Sequence, residues 1–460
     1  MKLSVVILAA GQGKRMKSTL PKVLHPLAGR PLLKHVIDVA QSLQPGDVTV
    51  VYGHGGDVVR ETLKAEKVAW ALQAEQKGTG HAVQQALPAL KDDSLVLVLY
   101  GDVPLIQRGT LEALVKLAGA KSMSLLSMVV DDPTGYGRIV RNARGQVQKI
   151  VEHKDASKPQ LKIKECNTGI MAVPAKLLRK WLGKLRNDNA QGEYYLTDVV
   201  AMAVKDKVKV EALIAPSAAE VLGVNDKVQL AEVEGYRRAQ VARDLMIAGV
   251  TLTDPARVDV RGTLTCGADV SIDVNAVFEG KVTLGNRVHI GPNCVIRDVT
   301  IGDGTEILSN CVLESADVGA RCIIGPFSRL RPGASLAGEV HIGNFVEVKN
   351  SKMGQGSKAN HLSYVGDAEV GSRVNVGAGT IIANYDGANK HRTVIEDDVH
   401  TGSNSVLVAP ITVGTGATIG AGSTVTRAVP PNKLTLARAR QVVIDEWVRP
   451  TKKRSQPPGD

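Results

Sequence analysis

The first half of the chain alternates short apolar runs with longer segments in which apolar residues recur every three or four positions. Short apolar runs are typical of buried strands, and the second spacing is typical of helices with one polar face. Strands are predicted at Leu3–Leu8, Val48–Tyr52, Leu95–Tyr100, Ser124–Val130 and Gly169–Val173, and helices at Pro31–Leu43, Gly80–Leu90 and Thr110–Leu117. This alternation predicts an α/β domain with a mostly parallel, Rossmann-like sheet over residues 1–225.

The second half follows a different period. From about residue 265, an aliphatic residue recurs at almost every sixth position and is often followed by glycine, as in Leu284-Gly285 and Ile290-Gly291. Such hexads form the flat faces of a parallel β-helix, so a β-helix domain is predicted over residues 251–436. The hexads from about residue 265 onward are predicted to form roughly nine of its coils. The period lapses over Lys352–Glu369, which predicts an inserted loop, and loops on a rigid scaffold often carry catalytic residues.

Two further segments complete the predicted organisation. Residues 226–250 are predicted to contain a linker helix, because Asp226–Met246 is rich in Glu, Arg, Gln and Ala and has apolar residues at helical spacing. Residues 437–460 are predicted to form a C-terminal arm that ends in a disordered basic tail.

A glycine-containing loop follows the first predicted strand. Gly11 and Gly13 allow the backbone to approach a ligand closely, and Lys14, Arg15 and Lys22 add positive charge nearby. Exposed backbone amides and cations together bind phosphate oxygens. The spacing differs from that of a P-loop and lacks the third glycine of a dinucleotide-binding loop. The loop is therefore predicted to bind phosphate without being a P-loop or a dinucleotide-binding loop.

Composition narrows the choice of partners. The net charge of +11 suits anionic substrates, whereas an aromatic content of 3% argues against single-stranded nucleic acid, which stacks on aromatic rings. The five cysteines show no CxxC spacing, so reduced thiols in a cytoplasmic protein are expected. No apolar run approaches the roughly 20 residues of a membrane span. A cytoplasmic enzyme of small anionic substrates, with neither nucleic-acid nor membrane partners, is predicted.

Three residues are candidates for specific chemistry. Asp102 follows an apolar strand, where a carboxylate can hold Mg²⁺ together with substrate phosphates. Gln73 begins a polar, glycine-containing loop and can read the edge of a base. His361 lies in the predicted inserted loop, and a histidine has a suitable pKa to act as a general base.

These motifs, together with Gln191-Gly192-Glu193-Tyr194-Tyr195, resemble a known family along nearly the whole chain. It is the bacterial bifunctional UDP-N-acetylglucosamine pyrophosphorylase and glucosamine-1-phosphate N-acetyltransferase family. The resemblance implies an enzyme that acetylates glucosamine 1-phosphate with acetyl-CoA. It then transfers uridylyl from UTP to N-acetylglucosamine 1-phosphate, giving UDP-N-acetylglucosamine for cell-wall precursors and pyrophosphate.

The resemblance also implies residues for the uridylyl site. Lys22 and Arg15 neutralise phosphate charge, and Asp102 and Asn225 share Mg²⁺. The residues implied to bind UTP or UDP-N-acetylglucosamine are Leu8, Ala9, Ala10, Gly11, Lys22, Gln73, Gly78, Thr79, Tyr100, Gly101, Asp102, Gly137, Glu152, Asn167 and Asn225.

The acetyl site is implied in the same way, on a left-handed β-helix that forms a homotrimer with the coenzyme groove between neighbours. His361 is the catalytic base, and Glu347 is a candidate to orient its ring. The residues implied to bind the sugar phosphate are Arg331, Lys349, Tyr364 and Asn375. Those implied to line the acetyl-CoA groove are Ala378, Asn384, Tyr385, Ser403, Ala421 and Arg438. Arg440 is an alternative to Arg438, because the sequence departs from the family pattern there.

Two other hypotheses use the same modules. A pyrophosphorylase with a purely structural β-helix is disfavoured by the presence of His361. A non-catalytic exchange-factor subunit is disfavoured because Gly11, Lys14, Arg15, Lys22 and Asp102 are all present. The sequence therefore favours an enzyme with two activities.

Overall fold

The computed structural model describes residues 1–53 and 55–452, which divide into two units. The first unit comprises Met1–Ala248, Asp254–Thr263 and Val277–Gly280, and the second comprises Gly249–Thr253, Leu264–Ala276 and the chain from Lys281 onward.

A mixed sheet forms the centre of the first unit. The strands are β1 (Lys2–Ala9), β2 (Pro26–Leu27), β3 (Arg30–Pro31), β4 (Asp47–Gly53), β5 (Ala69–Gln73), β6 (Ser94–Tyr100), β7 (Ser122–Val129), β8 (Arg138–Arg141), β9 (Val147–Val151), β10 (Glu165–Pro174) and β11 (Lys209–Ile214). The order is β11-β7-β10-β6-β1-β4-β5, with β8 and β9 attached through β10, while β2 and β3 form a separate hairpin. β10 runs antiparallel to β6 and β7, whereas β1 is parallel to β4 and β6.

Helices pack on both faces of this sheet. The helices of the first unit are α1 (Leu32–Ser42), α2 (Asp57–Thr62), α3 (Thr79–Ala86), α4 (Arg108–Leu117), α5 (Lys158–Leu161), α6 (Ala175–Leu182), α7 (Asp198–Lys205) and α8 (Lys227–Ile247). Alternate residues of β1 belong to different cores: Val5 and Ile7 cluster with residues of α1 and α4, and Val6 and Leu8 with residues of α3, α6 and α7. Burial on both faces explains the continuous apolar run in β1.

The second unit is a parallel β-helix with three strand-bearing faces. One face of eleven strands contains Thr251–Leu252, Ser271–Ile272, His289–Ile290, Glu306–Ile307, Ile323–Ile324, His341–Asn344, Lys358–His361, Asn375–Val376, His400–Thr401, Thr418–Ile419 and Leu434–Thr435. The second face includes Val295–Arg297, Val312–Glu314, Arg329–Leu330, Glu347–Lys349, Tyr364–Gly366, Ile381–Ala383, Val406–Val408 and Thr424–Val425. The third includes Thr300–Ile301, Asp317–Val318, Ser335–Leu336, Lys352–Met353, Ala368–Val370, Thr393–Ile395 and Ile411–Val413, and Val258–Cys266 and Ala276–Leu284 form the first long strands.

The coils repeat with the predicted period. His289 pairs with Glu306 and Ile323 pairs with His341, which are steps of 17 and 18 residues. The inward-facing Ile290 and Ile307 are fully buried. The predicted fold class is therefore confirmed, although the stack has eleven rungs on one face rather than nine coils. It is longer because it begins at Thr251, before the regular aliphatic-glycine pairs.

The prediction of an inserted loop over Lys352–Glu369 is wrong. Strands in this range pair in register with their neighbours, and Met353, Ala359 and Val365 are buried at regular intervals. The period was hard to recognise because a small alanine occupies one inward position. The actual insertion lies after Ile381–Ala383, where Ile381 pairs with Val406, a step of 25 residues.

Many corners of the β-helix have a left-handed backbone. Non-glycine residues with positive φ include Phe327, Phe345, Leu362 and Asp367. This conformation is normally unfavourable for residues with a Cβ atom. Hydrogen bonds to the coils before and after, such as Phe345 N–H to the Phe327 carbonyl at 3.1 Å, hold these corners in place.

The helix expected at Asp226–Met246 is α8, and the Asp226 carboxylate caps it by accepting the Gln229 N–H at 2.9 Å. Residues 437–452 have no regular structure, and the basic tail predicted beyond them lies outside the described residues. Within residues 1–53 and 55–452, no helix is both long and apolar enough to cross a membrane.

Candidate nucleotidyl-transfer and acyl-transfer sites

A cavity of about 320 Å³ lies at the carboxyl ends of β1, β5 and β6. Ten residues predicted for the uridylyl site line it: Leu8, Ala9, Ala10, Gly11, Lys22, Gln73, Gly78, Thr79, Tyr100 and Asp102. Val23, Gln76, Ala82 and Glu193 also line it and were not predicted. Parallel strands collect residues that are distant in sequence at one edge of the sheet, which is where α/β folds bind ligands.

Lys22 occupies the polar end of this cavity. Its Nζ contacts Asp102 Oδ2 and lies 3.2 Å from Asn225 Oδ1. Gly13 permits this arrangement, since a Cβ at that position would lie 2.7 Å from the Lys22 Cβ and its φ is +62°. Two oxygen ligands therefore converge on one cationic centre. This donor set fits Mg²⁺, which takes the rest of its oxygen ligands from phosphates and water.

Gln73 is buried beside the start of α3. Its Nε2 donates to the Gly78 carbonyl at 3.1 Å and lies 3.1 Å from His81 Nδ1. Gly78 has a φ of +101°, and a Cβ there would lie 2.7 Å from the Tyr194 carbonyl oxygen. The loop between β5 and α3 is therefore tightly packed against the Gln191–Tyr195 motif.

Gly137, Glu152 and Asn167 form a second cluster. The Asn167 N–H donates to the Gly137 carbonyl at 2.8 Å, and Glu152 Oε1 accepts a hydrogen bond from Thr197 Oγ1 at 3.0 Å. Burial raises the pKa of Glu152 despite that hydrogen bond. Thr197 was not predicted, although it lies just after the Gln191–Tyr195 motif.

Tyr100 connects this cluster to the cavity. Burial raises the pKa of Tyr100, and the charges of Glu152 and Asp102 contribute in the same direction. Gly169 makes room for the ring, because a Cβ there would lie 2.6 Å from Tyr100 Cζ. Gly101 donates its N–H to the Leu8 carbonyl at 2.9 Å. Arg15 is exposed on a short 3-10 turn, Lys14–Met16, and does not line the cavity.

His361 ends the strand Lys358–His361 on the β-helix. Its Nδ1 lies 2.8 Å from Asn344 Oδ1, the residue in register one coil earlier. An amide oxygen accepts a hydrogen bond, so this contact assigns the proton to Nδ1 and leaves Nε2 able to accept one. The expectation that Glu347 orients the ring is corrected: Glu347 Oε1 pairs with Arg331 Nη1 at 2.9 Å.

A cationic cluster lies on the next face. Arg331 and Lys349 stand on neighbouring rungs, and Lys349 Nζ is 3.5 Å from Asp367 Oδ2. The insertion adds Lys390, which was not predicted. The adjacent Lys349 amine lowers the pKa of Lys390. Arg331, Lys349 and Lys390 are called the phosphate clamp below.

The remaining predicted residues occupy neighbouring rungs. Tyr364 accepts a hydrogen bond from Asn384 Nδ2 at 3.4 Å, and Asn375 pairs in register with Lys358. Tyr385 is exposed and donates its hydroxyl to the Gly387 carbonyl at 2.6 Å within the insertion.

Small residues form a stripe along one corner of the coils. Asn404 donates its N–H to the Ala378 carbonyl at 2.7 Å, and Gly422 donates to the Ser403 carbonyl at 2.9 Å. Arg438 Nη1 donates to the Ala421 carbonyl at 2.7 Å. The predicted groove residues Ala378, Ser403, Ala421 and Arg438 therefore follow one another along the β-helix.

Comparison with known protein families supports the fold of each half of the chain. Residues 5–158 match the model of the MobA-like NTP transferase domain, and residues 392–427 match the bacterial transferase hexapeptide repeats. Residues 260–353 match the GMPPB C-terminal domain. The fold and the two sites thus define an enzyme that joins a nucleotidyltransferase to a hexapeptide-repeat acyltransferase.

Relatives that match nearly the whole chain identify its family more specifically. The chain is 59% identical to "Bifunctional protein GlmU" of Azoarcus sp. over 98% of this chain and 100% of that protein. It is 60% identical to the protein of the same name from Paraburkholderia phymatum, again over 98% and 100%. The chain belongs to this bifunctional GlmU family. The predicted family and pair of activities, UDP-N-acetylglucosamine diphosphorylase and glucosamine-1-phosphate N-acetyltransferase, are confirmed.

Proposed function

We propose how the described residues divide these two activities. Residues 1–225 carry uridylyl transfer, residues 226–250 link them to the acetyltransferase of residues 251–436, and residues 437–452 form the C-terminal arm. Acetylation of glucosamine 1-phosphate comes first, and its product then accepts uridylyl from UTP. The convergence of Asp102 and Asn225 oxygens on the Lys22 ammonium, beside the Gly11 loop, carries the assignment of the uridylyl site.

In uridylyl transfer, Gln73, Gly78 and Thr79 bind the base, and the loop at Gly11 with Lys22 holds the phosphates. Arg15, which lies outside the cavity on the exposed turn after this loop, adds positive charge for the phosphates. Glu152, Asn167 and Gly137 bind the amino sugar. Asp102 and Asn225 would hold Mg²⁺, which supplies charge neutralisation at the phosphates. A phosphate oxygen of the sugar attacks the α-phosphorus of UTP, and pyrophosphate leaves as the α–β bond breaks. The protein acts by positioning and electrostatic stabilisation, without a covalent intermediate.

In acetyl transfer, the phosphate clamp holds the sugar phosphate, and Tyr364 and Asn375 contact the sugar. The amine nitrogen attacks the thioester carbonyl of acetyl-CoA, and His361 Nε2 takes the amine proton. The C–S bond breaks with its electron pair on sulfur, and the coenzyme thiolate that leaves takes up the proton from His361 to become the thiol. The coenzyme occupies the groove lined by Ala378, Asn384, Tyr385, Ser403, Ala421 and Arg438. The geometry that supports His361 as base is the Asn344 contact at Nδ1.

A cytoplasmic homotrimer is proposed, with each coenzyme groove completed by a neighbouring chain. An exposed apolar corner supports association: the Phe327 and Phe345 rings stack with centroids 5.4 Å apart, and Leu362 follows at the same corner. Light scattering should give three times the chain mass of 48.7 kDa. A mass of one chain at working concentration would contradict this proposal.

The assignment of the two sites is tested with Asp102→Ala and His361→Ala. Purified protein receives glucosamine 1-phosphate, acetyl-CoA, UTP and Mg²⁺, and the products are measured by mass spectrometry. Asp102→Ala should stop at N-acetylglucosamine 1-phosphate. His361→Ala should lose acetyl transfer by roughly 10²-fold or more, yet use supplied N-acetylglucosamine 1-phosphate normally. Equal loss of both activities in a folded variant would refute the division.

A further inference from the structure

Asp367 occupies a corner between the strands Tyr364–Gly366 and Ala368–Val370. Its side chain is almost completely buried, and its backbone is left-handed, with a φ of +50°. Its N–H donates to the Lys349 carbonyl at 3.0 Å in the coil before, and its carbonyl accepts the Thr393 N–H at 3.2 Å in the coil after. The position of its carboxylate is therefore fixed from both sides.

Both oxygens of this carboxylate are engaged. Oδ1 accepts a hydrogen bond from Asn350 Nδ2 at 2.6 Å, and Oδ2 accepts one from Asn384 Nδ2 and lies 3.5 Å from Lys349 Nζ. Burial would raise the pKa of Asp367, but the hydrogen bond from Asn350 and the charge of Lys349 outweigh it and hold the pKa below its ordinary value. The group is a carboxylate at neutral pH.

These contacts join two parts of the acetyl site. Lys349 belongs to the phosphate clamp, and Asn384 is both a groove residue and the first residue of the insertion. The insertion then folds back on itself, because Asp386 Oδ2 pairs with His391 Nε2 at 2.6 Å and the His391 N–H donates to the Asn384 carbonyl at 2.8 Å. Within this fold, Tyr385 and Lys390 pair as an isolated antiparallel bridge, and the Lys390 ammonium interacts electrostatically with Lys349.

We propose that Asp367 is a positioning residue of the acetyl-transfer site, whose single carboxylate orients the Asn384 amide toward the coenzyme and holds Lys349 in the phosphate clamp. The inference rests on the proposed assignment of Asn384 to the coenzyme groove. Asp367 itself need not touch either substrate, since it acts through its two partners. The positions of the two substrates are thereby coupled through one buried anion.

The test is a reciprocal exchange of donor and acceptor. Asp367→Asn removes the negative charge beside Lys349 and leaves one acceptor oxygen in place of two, so either Asn350 or Asn384 loses its hydrogen-bond acceptor. Asn384→Asp places two carboxylates together. The double variant Asp367→Asn with Asn384→Asp restores one donor and one acceptor at the same distance. Asp298→Asn is the matched control, because Asp298 is also a left-handed corner carboxylate and accepts the Lys281 N–H at 2.9 Å.

Steady-state acetyl transfer is measured with each substrate varied, and uridylyl transfer on the same preparation reports folding. Each single variant should raise the KM for acetyl-CoA about tenfold or more, the size expected when a buried hydrogen bond is lost. Asp367→Asn should also raise the KM for glucosamine 1-phosphate. In the double variant, the increase in the logarithm of the KM for acetyl-CoA should be at most half of that in the single variants. Asp298→Asn should have the KM values of the wild type.

Several outcomes would overturn the inference. The first is a wild-type KM for acetyl-CoA in Asp367→Asn. The second is a double variant in which the KM increases of the two single variants add. The third is an increase of this KM in Asp298→Asn as large as that in Asp367→Asn. If Asp367→Asn fails to fold, Asn384→Asp and its rescue by the double variant still decide the matter. Wild-type protein without acetyl transfer would instead refute the proposed function itself.

Discussion

The contact between Asn344 and His361 predicts how the pH dependence of acetyl transfer can be changed. Asn344→Asp keeps the oxygen that accepts the Nδ1 proton, 2.8 Å away, but adds a negative charge. The charge stabilises the imidazolium form of His361, which is inactive as a base. The pH at which activity appears should therefore move upward, while the maximal rate at high pH should be retained or increase.

The size of the shift follows from the geometry. Two unit charges about 4 Å apart interact by roughly 1 kcal/mol in water and by roughly 4 kcal/mol at an effective dielectric constant of 20. Because the Asn344–His361 pair is exposed to solvent, the lower value applies. About 1 kcal/mol corresponds to roughly 0.7 pH unit, so the pH at which acetyl transfer falls on the acidic side should rise by roughly that amount.

The assay is kcat/KM for acetyl transfer between pH 5.5 and 9, at low and high salt. Salt should reduce the shift, because an exposed charge pair is screened. Asn344→Leu serves as the comparison, because it removes the hydrogen-bond acceptor without adding a charge. It should lower the maximal kcat/KM about tenfold and leave unchanged the pH at which kcat/KM falls on the acidic side. If the acidic fall of kcat/KM in Asn344→Asp stays at the wild-type pH or moves to lower pH, His361 is not the base that Asn344 orients.

The remaining predictions concern the first unit. Gly169→Ala should reduce uridylyl transfer at least tenfold without affecting acetyl transfer, because a Cβ would lie 2.6 Å from Tyr100 Cζ on a backbone with a φ of +84°; normal uridylyl kinetics would contradict the packing. Glu152→Gln should raise the melting temperature at pH 8 by about 2–4 °C but not at pH 4, as measured by calorimetry. Burial raises the pKa of Glu152, so its ionisation destabilises the folded state as pH rises, and an equal change at both pH values would exclude this cause.

Local patterns predicted much of the fold. The apolar run of β1 and the glycine that follows it at Gly13 predicted a strand and a tight loop correctly, because burial on both faces and a left-handed backbone leave direct marks in sequence. The hexad period likewise predicted the β-helix. The error at Lys352–Glu369 arose where Ala359 takes an inward position, since a small side chain fills the interior without producing a visible apolar repeat.

Contacts set by the register between coils were harder to foresee. Asn344 reaches His361 because their strands pair one coil apart, and nothing local marks this asparagine. Glu347 is nearer to His361 in sequence, yet its rung directs it to Arg331. Lys390 approaches Lys349 only through the fold of the insertion. The sequence motifs contain the side chains with suitable chemistry, but the partners of these side chains depend on which positions of adjacent coils lie in register.

The position of the proposed acetyl-transfer site along the β-helix has a consequence for its dynamics. Strands His341–Asn344, Lys358–His361 and Asn375–Val376 are the sixth, seventh and eighth of the eleven on their face. In a solenoid each coil is stabilised only by its neighbours, so opening begins at the ends. The rungs at Thr251 and Leu434 should exchange amide hydrogens first, whereas the rungs that carry His361 and its partners should remain protected until most of the stack has opened.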